Sequence, residues 1–229
     1  ACFWLLLGLV ALIAHDTATQ RPLVFFVLVS LACAVLVTHL SGKATTSNMV
    51  LFFAGAILLS LVVRGSVFFL SSGFPGSDAW GHETLTQALL LEGHLPTEWD
   101  PPYYLHYPAM HLTVAATATI LGVSSKFALF VSVGVPLAFS ALAVAVVARR
   151  FGGFTSASLA ALLTLFTSYH LQWGTQIIPT SMGLSLFTLA LAVVLAQPRP
   201  TPPRSLLLLL IAIVLVLCHT VSAFILWTA

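Results

Sequence analysis

From Phe127 to Val147 no side chain carries a charge, and similar runs, interrupted only by Arg64, recur at Leu23–Leu40, Met49–Leu70, Phe154–Tyr169, Thr175–Ala196 and Ser205–Ala229. A helix needs about 20 mostly apolar residues to cross the hydrocarbon layer of a bilayer. In that medium every backbone N–H and C=O must find its partner inside the segment, which leaves helices as the natural solution for runs of this kind. The repeated runs therefore predict an all-α fold, a polytopic transmembrane helical bundle, with the lipid bilayer as its main partner. Charge agrees. Only 6% of the 229 residues are charged, against roughly 25% in a soluble domain, and the mean hydropathy is +1.07. A net charge of +2 with no basic cluster gives nucleic acid nothing to bind. Cys2, Cys33 and Cys218 all sit within apolar runs and read as small hydrophobes.

With the shorter run Ala1–Ala14, the expected spans number about seven in a single domain, 1–229. Both ends of the sequence lie inside apolar runs, so the chain is expected to be part of a longer one. Orientation follows from Lys and Arg in short loops, which favour the cytoplasmic side. Arg149 and Arg150 close one span, and Arg199 and Arg204 lie in the Pro-rich linker Gln197–Arg204 two spans later, on the same side. Lys43 places the turn Ser41–Asn48 on that side as well. The long polar segment starting at Ser71 then begins and ends outside. This requires Pro108–Gly122, only about 15 residues, to be an interfacial or re-entrant helix that does not cross.

The extracytoplasmic segment 71–122 gathers the polar chemistry. It holds Asp78, Glu83, Glu92, Glu98 and Asp100, and His82, His94, His106 and His111. His82–Leu91 reads as a short amphipathic helix with Leu85, Ala88 and Leu89 on one face. If helix starts near Asp78, then Asp78, His82 and Glu83 can converge. Asp78 also has the plainer reading of a helix N-cap. Arg64 lies near the end of a span, where it either binds an anion or snorkels to the interface. His170 sits at an outer span end beside Trp173. His219 lies deep in the last span, where an ionisable group is expected to face the interior. Trp80, Trp99, Tyr103, Tyr104 and Tyr107 suit an interfacial belt or a stacking surface for a ligand.

The order Asp78-x-x-x-His82, Ala88-Leu89, Glu92-Gly93, Tyr104, Tyr107-Pro108, His111-Leu112, Ala115 and Leu121-Gly122, followed by Ala148-Arg149-Arg150, resembles the first extracytoplasmic loop of GT-C superfamily glycosyltransferases. These include protein O-mannosyltransferases and oligosaccharyltransferase catalytic subunits. The resemblance covers roughly Arg64–Gly153 and implies transfer of a sugar from a polyprenyl-phosphate donor to an acceptor outside the cytoplasm. It implies a carboxylate base, assigned to Asp78 with Glu83 assisting. It assigns donor or acceptor binding to Arg64, His82, Tyr104, Tyr107 and His111; His170 and His219, placed by the topology in the outer half of their spans on the same side as the loop, are further candidates for that binding. A divalent metal ion, held by oxygen ligands drawn from Asp78, Glu83 and Asp100, would be its cofactor. The chain departs from the family's pattern: the later outer loop, Leu171–Thr175, contains no acid, no soluble C-terminal domain is read in the sequence, and two or more spans precede the loop where the better-known members have one. Two other readings stand beside this one, a non-catalytic subunit of a larger membrane complex and a His/Asp/Glu metal-dependent enzyme or transporter.

Overall fold

The computed structural model describes residues 8, 21–41, 45–70, 73–99, 102–196 and 201–228. Ala1–Ala14 apart from Gly8, Lys43, Asp100 and Arg199 lie outside the described residues. The described chain is all-α, as expected. In order it runs α1 (Leu23–Thr38), α2 (Thr46–Leu70), α3 (Ser77–Glu92), a 3-10 turn (Pro102–His106), α4 (Ala109–Leu121), α5 (Ser125–Leu129), a π-helical turn (Phe130–Gly134), α6 (Val135–Phe166), α7 (Ser168–Gln176), α8 (Pro179–Ala196), α9 (Pro202–Cys218) and α10 (Thr220–Thr228).

Two continuous helical stretches are long and apolar enough to cross a membrane, Thr46–Leu70 and Ser125–Phe166. The second does not run straight. Ser140 Oγ lies 2.8 Å from His170 Nε2, whereas a straight helix would hold residues that far apart in sequence roughly 45 Å apart. The reversal is at Gly152 (φ −154°, ψ 23°) and Gly153 (φ 68°, ψ −150°). It folds α6 into two antiparallel legs, 135–151 and 154–166. The expected spans from Thr175 and Ser205 are each interrupted as well. α7 ends at Gln176 and α8 starts afresh at Pro179, while the last stretch starts at Pro202 and breaks at His219, whose backbone is extended. Proline explains the starts: it has no N–H to donate and sits well in a first helical turn, so Pro179 ends one helix and opens another. Pro202 and Pro203 do the same at the end of the linker.

Small residues bring the long elements together. Ala141 and Ala145 on one leg of α6 and Ala157 and Ala161 on the other pack with Ala32 and Leu36 of α1 and Phe52, Ala56 and Leu59 of α2. Alanine at i and i+4 lets helix backbones approach closely, which is how apolar helices associate when no water is being excluded between them. The outward faces remain apolar. Leu23, Phe26 and Leu31 of α1 and Leu206, Leu209, Leu210, Ile213 and Val216 of α9 are exposed, a surface that water does not suit.

A second cluster forms where α2 ends. Phe68, Phe74, Met110, Val114, Leu129, Val133, Ile177, Ile178 and Cys218 pack there. α3 buries Ala79, His82, Leu85, Thr86 and Leu89, the one-face spacing of an amphipathic helix. α4 lies beside it, and with 13 residues it is about 20 Å long, too short to cross a bilayer alone.

Gly153 meets no neighbouring atom where a Cβ would stand, yet its backbone is in a region open essentially to glycine alone. Gly153→Ala is expected to cost about 1–3 kcal/mol through the backbone, read as a lowered unfolding temperature in detergent. An unchanged midpoint would mean the reversal is not anchored there.

Candidate active site

α3 starts at Ser77 with Gly76 as its N-cap, and Asp78 stands in the first turn. Asp78 therefore is not the cap. Its carboxylate instead lies near the positive end of the helix dipole. One turn later, His82 approaches it: His82 Nε2 is 3.6 Å from Asp78 Oδ1. The Tyr104 hydroxyl donates to the same oxygen at 3.3 Å, and its ring meets the His82 ring edge-on at 4.5 Å between centroids. Glu83 does not join them. At 100° per residue it points about 140° away from Asp78. It accepts from Gln87 Nε2 at 2.7 Å and from the Ser125 hydroxyl, tying α3 to the start of α5.

A cavity of about 240 Å³ is lined by Asp78, His82, Tyr104 and Tyr107 from this segment and by Ile178, Pro179, Thr180, Cys218, His219 and Thr220 from the later helices. The later helices contribute through their two breaks. Thr180 Oγ1 lies 3.1 Å from His219 Nε2, and His219 Nδ1 lies 2.7 Å from Ser222 Oγ. The Cys218 thiol donates to Pro179 O at 3.4 Å. Gly183 makes this approach possible, because a Cβ there would stand 2.8 Å from Ser222 Oγ and 2.9 Å from His219 Cβ. Gly134 performs the same service for the break at Ile177, whose Cδ1 would lie 2.9 Å from a Cβ at that glycine. α8 begins at Pro179 and α10 at Thr220, both lining residues, so two helix N-termini border the same cavity as Asp78.

Three of the expected binding residues lie elsewhere. His111 sits behind His82 on α4, with its Nε2 3.0 Å from His82 Nδ1. Arg64 and His170 form a separate buried cluster. The Arg64 guanidinium is fully buried, bonds to Ser60 Oγ and to His170 Nδ1, and has no carboxylate beside it. It neither snorkels nor reaches the cavity, because Gly174 and α7 close over it. His94 and His106 are exposed on the surface. Thr180, Cys218 and Thr220 were not singled out from the sequence. Pro179 in the run Ile177-Ile178-Pro179-Thr180 was the available signal, since a proline inside an apolar run marks a broken helix.

The carboxylates do not gather for a metal ion. Asp78 and Glu83 take different faces of α3, and among the described residues no three His, Cys, Asp or Glu side chains group around one point. Both imidazoles of the α3–α4 pair resist protonation. Burial lowers His82 to about 4. Burial, with the neighbouring His82 ring, lowers His111 to about 3. At neutral pH both are uncharged. Against known proteins, no family model, no curated protein and no solved structure matches this chain.

Two outcomes follow from this geometry. A Cβ at Gly174 would run into the Arg64 side chain, so Gly174→Val is expected to destabilise by about 1–3 kcal/mol, measured by thermal unfolding in detergent. A midpoint equal to the parent's would show that α7 does not close over Arg64. The histidine pair gives a pH dependence. Unfolded histidine titrates near 6.5, so as pH falls from there the unfolded chain takes up protons that folded His82 and His111 refuse. Their contribution to stability is complete above about 6.5 and is lost as pH falls toward 4 and then 3. Unfolding temperature should drop over that range, less steeply in a His82→Gln, His111→Gln double variant. Identical slopes in the two proteins would contradict the assignment.

Proposed function

We propose that the protein is a multi-pass membrane glycosyltransferase that moves a sugar from a polyprenyl-phosphate donor to an acceptor on the extracytoplasmic side. The observation that carries this reading is Asp78 at the cavity, paired with His82 and Tyr104, in a lining that also includes the first residues of α8 and α10. Sugar transfer from a phosphate poses two tasks. The acceptor's proton must be taken as its oxygen bonds to the anomeric carbon, which is work for a carboxylate. The bond from that carbon to the phosphate oxygen breaks, and the departing anion must be stabilised. Asp78 serves the first. The helix N-termini at Pro179 and Thr220, with Thr180 and His219, favour negative charge within the same cavity and serve the second.

Charge distribution supports the orientation. α2 runs from Met49, which shares a groove with Arg149, to Phe68 beside the cavity cluster. Arg204 donates to Val194 O at the far end of α8. These basic residues lie at the end remote from Asp78, the distribution expected when that end faces the cytoplasm. The exposed apolar faces of α1 and α9 suit lipid.

The test is transfer from a labelled polyprenyl-phosphate sugar by protein in membranes, comparing the parent with Asp78→Asn and Glu83→Gln. Asp78→Asn is expected to lose at least about 100-fold in rate, while Glu83→Gln keeps most of it. Equal transfer by parent and Asp78→Asn would remove Asp78 as the base.

A further inference from the structure

We propose that His111 is a positioning residue for Asp78, acting through His82: it holds His82 in the tautomer that presents Nε2–H to the carboxylate. This rests on the glycosyltransferase reading for its consequence in catalysis, and on geometry alone for the tautomer.

His82 and His111 lie on neighbouring helices, are both buried, and share one hydrogen bond, His82 Nδ1 to His111 Nε2 at 3.0 Å. A neutral imidazole has one N–H and one lone pair, so the contact allows two arrangements. In the first, His111 Nε2–H donates to His82 Nδ1. His82 then carries its proton on Nε2, aimed at Asp78 Oδ1 3.6 Å away. The one group left over is the lone pair on His111 Nδ1, which is buried and has no partner. In the second, His82 Nδ1–H donates to His111 Nε2. The His82 Nε2 lone pair then faces the Asp78 carboxylate, and His111 is left with a buried N–H that nothing accepts. The second arrangement sets two negative regions against each other and strands a donor, which is costlier than stranding an acceptor. The first is therefore the resident state.

Its effect is on one oxygen of Asp78. His82 Nε2–H and the Tyr104 hydroxyl approach Oδ1 together, while Oδ2 has no hydrogen-bond partner among the described residues. A carboxylate held by one oxygen keeps the other oriented for a proton from the acceptor. At 3.6 Å the pair is longer than a hydrogen bond, and catalytic contacts that are long in the free protein commonly tighten in the substrate complex. A partner that fixes a histidine's tautomer and ring plane is itself part of the working apparatus without touching the substrate.

The test begins with the parent protein carrying ¹⁵N-histidine in detergent near pH 7, with the His82 signals assigned by their loss in His82→Gln. The expected result is His82 protonated on Nε2 with Nδ1 accepting a hydrogen bond. His82 protonated on Nδ1 overturns the proposal without any variant having to fold. His111→Phe removes the donor and should give mixed His82 tautomers, with kcat lowered roughly 10- to 100-fold and KM unchanged. His111→Gln restores an N–H and should recover most of the rate. Parental kcat in His111→Phe also overturns the proposal. If the parent transfers no sugar at all, the glycosyltransferase reading fails, and the tautomer measurement still decides whether His111 orients His82.

Discussion

The burial of Arg64 is the constraint on which the later helices' share of the site depends. A guanidinium with no carboxylate beside it is costly away from water unless its donors are taken. Here the two terminal nitrogens are taken by Ser60 of its own helix and by His170 of α7, while Nε lies against Gly174 with no hydrogen-bond partner among the described residues, and His170 in turn reaches Ser140 on the first leg of α6. One cation thus ties α2, α6 and α7 at a single level. α7 is a nine-residue helix between two breaks, too short to hold its place by its own hydrogen bonds. Pinned at His170, it leads into Ile178 and Pro179, which line the cavity with Asp78. Arg64, expected to contact a ligand, instead anchors the helix that leads into the cavity lining.

Much of this was legible in the chain. Apolar runs with almost no charge announced helices, and the concentration of acids and histidines between Ser71 and Leu112 pointed to the segment that supplies Asp78, His82, Tyr104 and Tyr107 to the cavity. The convergence of Asp78 with His82 followed from a spacing of four residues on a helix. Glu83 was misplaced because the same periodicity, carried one residue further, turns it toward Ser125. The helix breaks were harder. Pro179 was visible, but His219 breaks its helix with no proline or glycine at that position. His219 instead caps the start of α10, its Nδ1 accepting from Ser222 N three residues on, and its Nε2 meets Thr180, a partner 39 residues away that the local sequence does not announce.

The site is therefore composite in an instructive way. One part of its lining comes from a single contiguous segment whose pattern can be read locally. The other comes from residues 178–180 and 218–220, brought together by glycines at 134 and 183 that remove side chains where backbones must approach. Such glycines are silent in a sequence, since nothing near them in the chain says what will lie against them. Arg64 and His170 are likewise distant in sequence, and only the reversal at Gly152–Gly153 makes them neighbours.

The π-helical turn at Phe130–Gly134 has a geometric consequence for the whole bundle. A π-turn is an α-turn with one residue too many, and Pro136 just after it cannot donate to the carbonyl one turn back. The surplus residue rotates everything downstream by about 100° relative to the helix before it. Phe130 can therefore face Phe68 and Phe69 while Ser140, on what becomes a separate face, meets His170. The turn acts as a phase shifter between the two halves of the protein. Removing a single residue within it would return the helix to a uniform winding and swing Ser140 away from the buried cluster, leaving the composition and length of the apolar run almost unchanged.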